Sequence, residues 1–119
     1  MKKTAVVIWS AVLGAASMGF NANAHPLSAQ ECSEGSDFVR NAASSRENGM
    51  DGMTFLTKTL GDFVVIKSFP TDFRWFVKDR QDEDYLLKAV VAVFENPQPP
   101  QVHQRDFYAD CLVRSSVEQ

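Results

Sequence analysis

The segment from Cys32 to Arg46, CSEGSDFVRNAASSR, gives the clearest indication of the fold of this chain. A single stripe of its residues recurs three or four positions apart, which is the spacing of one face of an α-helix: Cys32, Gly35, Val39, Ala42 and Arg46. Asn48 and Gly49 follow, and a glycine at this point suits the left-handed end of a helix. The stretch predicts an α-helix that turns a cysteine and an arginine toward the core.

Three further segments show the same spacing together with residues typical of helix boundaries. Asp51 can cap a second helix, in which the apolar repeat is Met53, Leu56, Leu60, Phe63 and Val64. A third helix, from Tyr85 to Phe94, carries a broad apolar face. Pro100 can occupy the first turn of a last helix, whose inward face is Gln104, Phe107, Tyr108, Cys111 and Leu112.

One shorter segment lies between the second and third helices. Thr71 or Asp72 can start a short helix, and we expect Phe73 and Phe76 to share one face of it and to enter the core. The chain is therefore predicted to be an all-α domain, a small bundle of four main helices plus one short helix.

Residues 1–24 have the parts of a secretory signal peptide. Lys2 and Lys3 are followed by a mostly apolar run, and residues 22–24 form the small-x-small pattern Ala-Asn-Ala. We expect cleavage after Ala24, which leaves residues 25–119 as one exported domain, periplasmic or secreted. The apolar run is short for a bilayer span, so no membrane association is expected after cleavage.

The chain has two cysteines, Cys32 and Cys111. Export together with an even number of cysteines predicts one disulfide between them. The bond would close a loop of about 80 residues, for which the chain-entropy model gives roughly 4–5 kcal/mol. It would join the start of the first helix to the end of the last.

Charge excludes some partners. Residues 25–119 hold ten of the 12 basic residues and all 15 acidic ones, for a net charge of −5. An acidic domain without a basic stripe is a poor candidate for binding nucleic acid. The acids Asp79, Asp82, Glu83 and Asp84 are interpreted as a solvated helix start, where they offset the helix dipole.

Arg46 lies in the inward stripe of the first helix, where a charge needs a carboxylate or several carbonyls. Asp62 is the partner we assign for a buried ion pair, with Asp72 as the other candidate. An anion-binding site and a side chain that reaches back to solvent are the two remaining interpretations.

Arg74 and Trp75 form the candidate partner-binding pair, because an exposed tryptophan beside an arginine is typical of an interaction hot spot. A tryptophan at the edge of the core is the alternative.

His25 and His103 are the candidate metal ligands. An amino-terminal histidine can bind Cu(II) through its amine and its ring, and a second histidine can complete the site. The start Ala24-His25-Pro26 resembles the mature start of a family of periplasmic copper carriers. That resemblance implies copper binding at His25 but also a β-sandwich, whereas this chain is predicted to be helical.

Three functions follow, in order of preference. The first is a small exported protein-interaction module of the chaperone, inhibitor or immunity type, with a protein partner and no cofactor. In size, helical content and single disulfide it is similar in kind to the acid-stress periplasmic chaperones. The second is a copper or small-ligand carrier that uses His25. The third is an enzyme, for which the sequence offers no recognisable nucleophile or phosphate-loop motif.

Overall fold

The computed structural model of the protein describes residues 27–74 and 76–118, and the secondary structure of these residues is entirely helical. The helices are α1 (Ala29–Glu47), α2 (Gly52–Ile66), α3 (Arg80–Glu95) and α4 (Pro100–Glu118), with a 3-10 turn at Thr71–Phe73. The predicted all-α bundle of four main helices and one short one is confirmed. No helix in the described ranges is both long and apolar enough to cross a bilayer. The predicted signal peptide, residues 1–24, lies outside them.

The ends of α1 are fixed by the residues next to them. The Ser28 hydroxyl accepts a hydrogen bond from the Glu31 amide at 3.1 Å, and the Glu31 carboxylate accepts one from the Ser28 amide at 2.9 Å, which is a capping box. At the other end Gly49 has φ +100°, a conformation that a residue without a Cβ adopts without strain. Asp51 then caps α2 by accepting from the Thr54 amide at 2.7 Å. The predicted helix end at Gly49 and cap at Asp51 are confirmed.

Helix α1 is the centre of the bundle, because it packs most extensively against α4 and next against α3. Gly35 permits this approach, since a Cβ there would lie 2.7 Å from the ring of Phe107 and 2.9 Å from the ring of Phe76. The buried apolar core is completed by Leu27, Cys32, Val39, Ala42, Ala43, Phe55, Phe63, Val77, Leu86, Val90, Val93 and Cys111.

A disulfide joins Cys32, in the first turn of α1, to Cys111 of α4. Both side chains are fully buried, and the two Cα atoms are 5.6 Å apart. The bond closes a loop between positions 79 residues apart. The predicted disulfide is confirmed, and it fastens the two helices that pack most closely.

Helix α2 is the least packed of the four, with contacts to α3 and a few to α1. Its buried side chains are Phe55, Thr59 and Phe63, which form a narrow strip four residues apart. The apolar repeat predicted for this helix therefore divides between two faces. Phe63 is buried, whereas Met53, Leu60 and Val64 are 74%, 51% and 70% exposed.

Candidate protein-docking surface

Residues 67–79, which join α2 to α3, are called the aromatic loop below, and two aromatic rings among its described residues are exposed. Phe69 is 49% exposed and Phe73 is 78% exposed, whereas Phe76 is fully buried. The expectation that Phe73 enters the core with Phe76 is wrong. The 3-10 turn ends at Phe73, and Arg74 is already extended, so the two rings do not share a helical face. Trp75 lies outside the described residues.

Arg74 holds the aromatic loop in shape. Its guanidinium donates hydrogen bonds to the carbonyls of Phe69 at 3.0 Å, Lys78 at 3.0 Å and Lys67 at 3.2 Å. Charge-assisted bonds of this kind are stronger than bonds between neutral groups. Because the guanidinium binds three carbonyls of its own loop, any contribution of Arg74 to partner binding is made through the shape of the loop.

Lys78 ties the same loop to α1. Its ammonium lies 3.3 Å from the carboxylate of Glu31, and each of these side chains is about one-sixth exposed. The ammonium also donates to the carbonyls of Arg74 and Thr71. The aromatic loop is therefore braced from within by Arg74 and anchored to the start of α1 by Lys78.

Asp72 is the exposed charge next to Phe73. The Lys67 ammonium of the same loop lies 3.1 Å from Glu83, and Lys78 is paired with Glu31. Asp72 is exposed and forms no ion pair with any residue that the structure describes. The surface thus offers an aromatic ring and a neighbouring carboxylate.

Behind this loop, α3 begins with a buried acid. The interpretation of the acidic helix start as solvated is wrong for Asp82, which is 1% exposed. Asp82 accepts a hydrogen bond from the Lys78 amide at 3.0 Å and lies 3.8 Å from the guanidinium of Arg114 in α4. Helical spacing indicates the burial of Asp82, because Asp82 lies one turn before Leu86 on the buried face of α3.

Arg114 also lies over the ring of Tyr85, with 4.5 Å from its Cζ to the ring centroid. The Tyr85 hydroxyl donates to Asp110 at 2.5 Å. Burial and this bond raise the pKa of Tyr85, so the phenol stays protonated. These contacts join α3 to α4 on the side of the bundle next to the aromatic loop, where Asp82 meets Lys78.

Arg46 does not form an ion pair with Asp62. Its guanidinium donates to the carbonyls of Val93 and Gln98, each at 2.7 Å, and approaches Glu47 to 3.6 Å. Asp62 is half exposed and lies 3.8 Å from Lys58 of the same helix. The assigned Arg46–Asp62 pair is therefore wrong, and Arg46, which is partly buried, instead binds one carbonyl of the last turn of α3 and one in the turn after it.

His103 belongs to the same cluster as Arg46. Its Nε2 accepts a hydrogen bond from the Gln98 amide at 3.0 Å and lies 3.5 Å from the Arg46 guanidinium. Burial and the nearby positive charge of Arg46 lower the pKa of His103. A metal ion could bind Nε2 only by displacing the Gln98 amide.

His25, the other candidate copper ligand, lies outside the described residues. The described residues contain no group of three metal-binding side chains.

A shallow cleft of about 320 Å³ lies where α3 and α4 diverge over α1. Val39 and Phe107 form part of its floor, and Tyr85 and His103 are among its polar lining residues. Because the Tyr85 hydroxyl is bonded to Asp110 and the Nε2 of His103 to Gln98, neither group acts as a ready base. Lys88, Asp106 and Asp110 complete the polar lining of this cleft.

No protein-family model matches the chain, and no curated protein and no solved structure matches it. In the described part of the chain, the aromatic loop combines exposed rings with side-chain bonds that hold its backbone.

Proposed function

We propose that this chain is an exported protein-interaction module of the inhibitor or immunity type, which binds one folded partner protein through the aromatic loop. The observation that carries the proposal is the exposure of Phe73, 78%, in a loop that Arg74 and Lys78 hold in one shape. A rigidly presented aromatic ring loses little conformational entropy on binding, so it makes an efficient anchor.

The surface indicates the chemistry of the partner. Phe73 fits an apolar pocket, and the exposed carboxylate of Asp72 beside it favours a lysine or arginine at the rim of that pocket. The exported part of the chain, residues 25–119, carries a net charge of −5, which also favours a basic partner surface. The partner is a folded protein with an apolar pocket bordered by basic groups.

Export is part of the proposal. The Cys32–Cys111 disulfide supports it, because such bonds form and persist in oxidising compartments. The pattern of residues 1–24 points to the same route, and we assign the periplasm as the compartment.

The bracing favours a single partner over the many clients of a chaperone. The loop is anchored by Lys78 to Glu31 and backed by Asp82, and the disulfide fastens α1 to α4. A preformed surface suits a stoichiometric complex, whereas an acid-stress chaperone would have to expose its apolar surface as the pH falls.

The test is capture of the partner by disulfide-intact protein from a periplasmic extract of the organism that makes it, at neutral pH. Wild type is compared with Phe73→Ala and with Val113→Ala, which removes an equally apolar side chain, 62% exposed, from α4. Wild type and Val113→Ala should retain one protein in stoichiometric amount, and Phe73→Ala should not. With the purified partner, calorimetric titration should show Phe73→Ala weakening the Kd at least about thirty-fold.

Equal capture by all three proteins would refute the proposal. Retention of many proteins only at acid pH would instead assign the chaperone function. Because Phe73 is so exposed, the variant should unfold at the same urea concentration as wild type, which separates lost binding from lost folding.

A further inference from the structure

Helix α2 presents about half of its circumference to solvent without a charged residue. On a helical wheel, successive residues are about 100° apart. In angular order, the half of the wheel that runs from Leu56 to Val65 contains Leu60, Met53, Val64, Thr57, Gly61 and Thr54. Met53, Leu60, Val64 and Val65 are each more than half exposed. The charged residues of the helix, Lys58 and Asp62, lie beyond the Val65 edge and are 3.8 Å from each other. This arc is called the α2 face below.

Exposed apolar side chains grouped on one side of a helix commonly mark an interaction surface, so the α2 face lacks the cover that its composition calls for. Gly61 is a second, independent sign. A glycine within a helix weakens it, yet a Cβ at Gly61 would meet nothing within 4 Å. Packing within this chain does not require a glycine there, whereas close approach of a second helix would.

We propose that a second copy of this chain covers the α2 face, in an antiparallel dimer whose two-fold axis passes beside Leu60. A two-fold axis at this position sets Leu60 against Leu60 of the second copy and Leu56 against its Val64, so apolar side chains meet apolar side chains on both sides of the axis. Gly61 and Thr57, both small, let the two helices come close.

Charge favours a second copy over a different protein. The chain is acidic, so two copies repel unless their contact is free of carboxylates, and the α2 face carries none. Selection of a different partner normally uses complementary charges, which this face does not offer.

The area is sufficient for a reversible dimer. The four exposed apolar side chains present on the order of 450 Å² per copy, so the dimer buries at most about 900 Å², which is the range of weak, transient interfaces. An interface of this size is weak and reversible.

The test is sedimentation velocity of the disulfide-intact protein alone, from about 1 to about 200 μM. Wild type should pass from monomer to dimer over this range. Leu60→Glu should raise the Kd at least tenfold, since it sets two carboxylates against each other on the axis. Val113→Glu, at an apolar position on α4 that is 62% exposed, should leave the Kd unchanged. Val64→Glu repeats the test if Leu60→Glu does not show the circular dichroism of wild type.

A cross-link tests the axis itself. Leu60→Cys should form a covalent dimer under mild oxidation because each residue 60 faces its copy, and Val113→Cys should not. Wild type that stays monomeric at the highest concentration would overturn the proposal, as would a dimer that Leu60→Glu leaves intact. Phe73→Ala should not change dimerisation, so the result is independent of the proposed partner function.

Discussion

Asp82 of α3 and Arg114 of α4 form an ion pair on the buried face of α3, with 3.8 Å between Oδ1 and Nη1. Asp82 is 1% exposed, and its other oxygen accepts from the Lys78 amide of the aromatic loop. One carboxylate therefore joins three parts of the molecule: the loop, the start of α3 and the C-terminal half of α4.

Asp82→Asn should destabilise the protein by about 3 kcal/mol, because it removes the negative charge that faces Arg114 and weakens the acceptor of the Lys78 amide. Urea unfolding gives this free energy. The matched control is Asp84→Asn two residues later, since Asp84 is 60% exposed and lies only 3.9 Å from the exposed Arg80. The control should change stability by less than about 0.5 kcal/mol. Similar losses of unfolding free energy in the two variants would contradict the assignment of Asp82 as a buried, structurally required acid.

Arg46→Met should cost about 2–3 kcal/mol, because it removes the donors to the Val93 and Gln98 carbonyls, which hold the turn between α3 and α4. Arg40→Met, at an exposed position of the same helix, is the control and should be close to neutral. Thermal unfolding of the three proteins at neutral pH measures the difference. A near-neutral Arg46→Met would mean that solvent replaces both bonds.

The titration of His103 should make the free energy of unfolding depend on pH. Burial and Arg46 lower its pKa in the folded chain below the ordinary value of 6.5, so the unfolded chain binds the proton more readily. The contribution of His103 to stability is therefore complete above pH 6.5. This stabilisation is lost as the pH falls from 6.5 to the pKa of His103 in the folded chain. Below that pKa, His103 causes no further change in the free energy of unfolding.

An NMR titration of the His103 ring checks the shift directly, and Arg46→Met should move the pKa of His103 upward because it removes the neighbouring positive charge. Urea unfolding at several pH values should show a smaller pH dependence for His103→Gln than for wild type across this window. A His103 pKa above 6.5 in wild type would contradict the geometry around Nε2.

The predictable parts of this fold are those that neighbouring residues decide. The Gly49 end of α1 and the cap at Asp51 depend on residues within one turn, and the Cys32–Cys111 disulfide follows from the number of cysteines. Helical spacing also identified the buried faces of α1 and α3, because these helices have a single apolar side.

The remaining features depend on residues far apart in the sequence. Nothing near Asp82 shows that Arg114 will lie beside it, and nothing near Arg46 shows that the end of α3 will offer two carbonyls. Helical spacing predicts one shared face for Phe73 and Phe76, but the backbone becomes extended at Arg74, so Phe73 is exposed while Phe76 is buried. For α2 the sequence shows an apolar helix but not which of its sides meets the core.

Two glycines in helices should respond to alanine in opposite directions. In Gly35→Ala the new methyl group would lie 2.7 Å from Phe107 and 2.9 Å from Phe76, in a core closed by rings from two other segments. Overpacking of this kind costs about 1–3 kcal/mol. Gly61→Ala adds a methyl group where a Cβ meets nothing within 4 Å, so the better helix propensity should stabilise the monomer by about 0.5–1 kcal/mol. Urea unfolding at protein concentrations well below those that favour the dimer measures both changes in the free energy of unfolding. A loss of stability in Gly61→Ala under these conditions would show that Gly61 is required within the monomer itself.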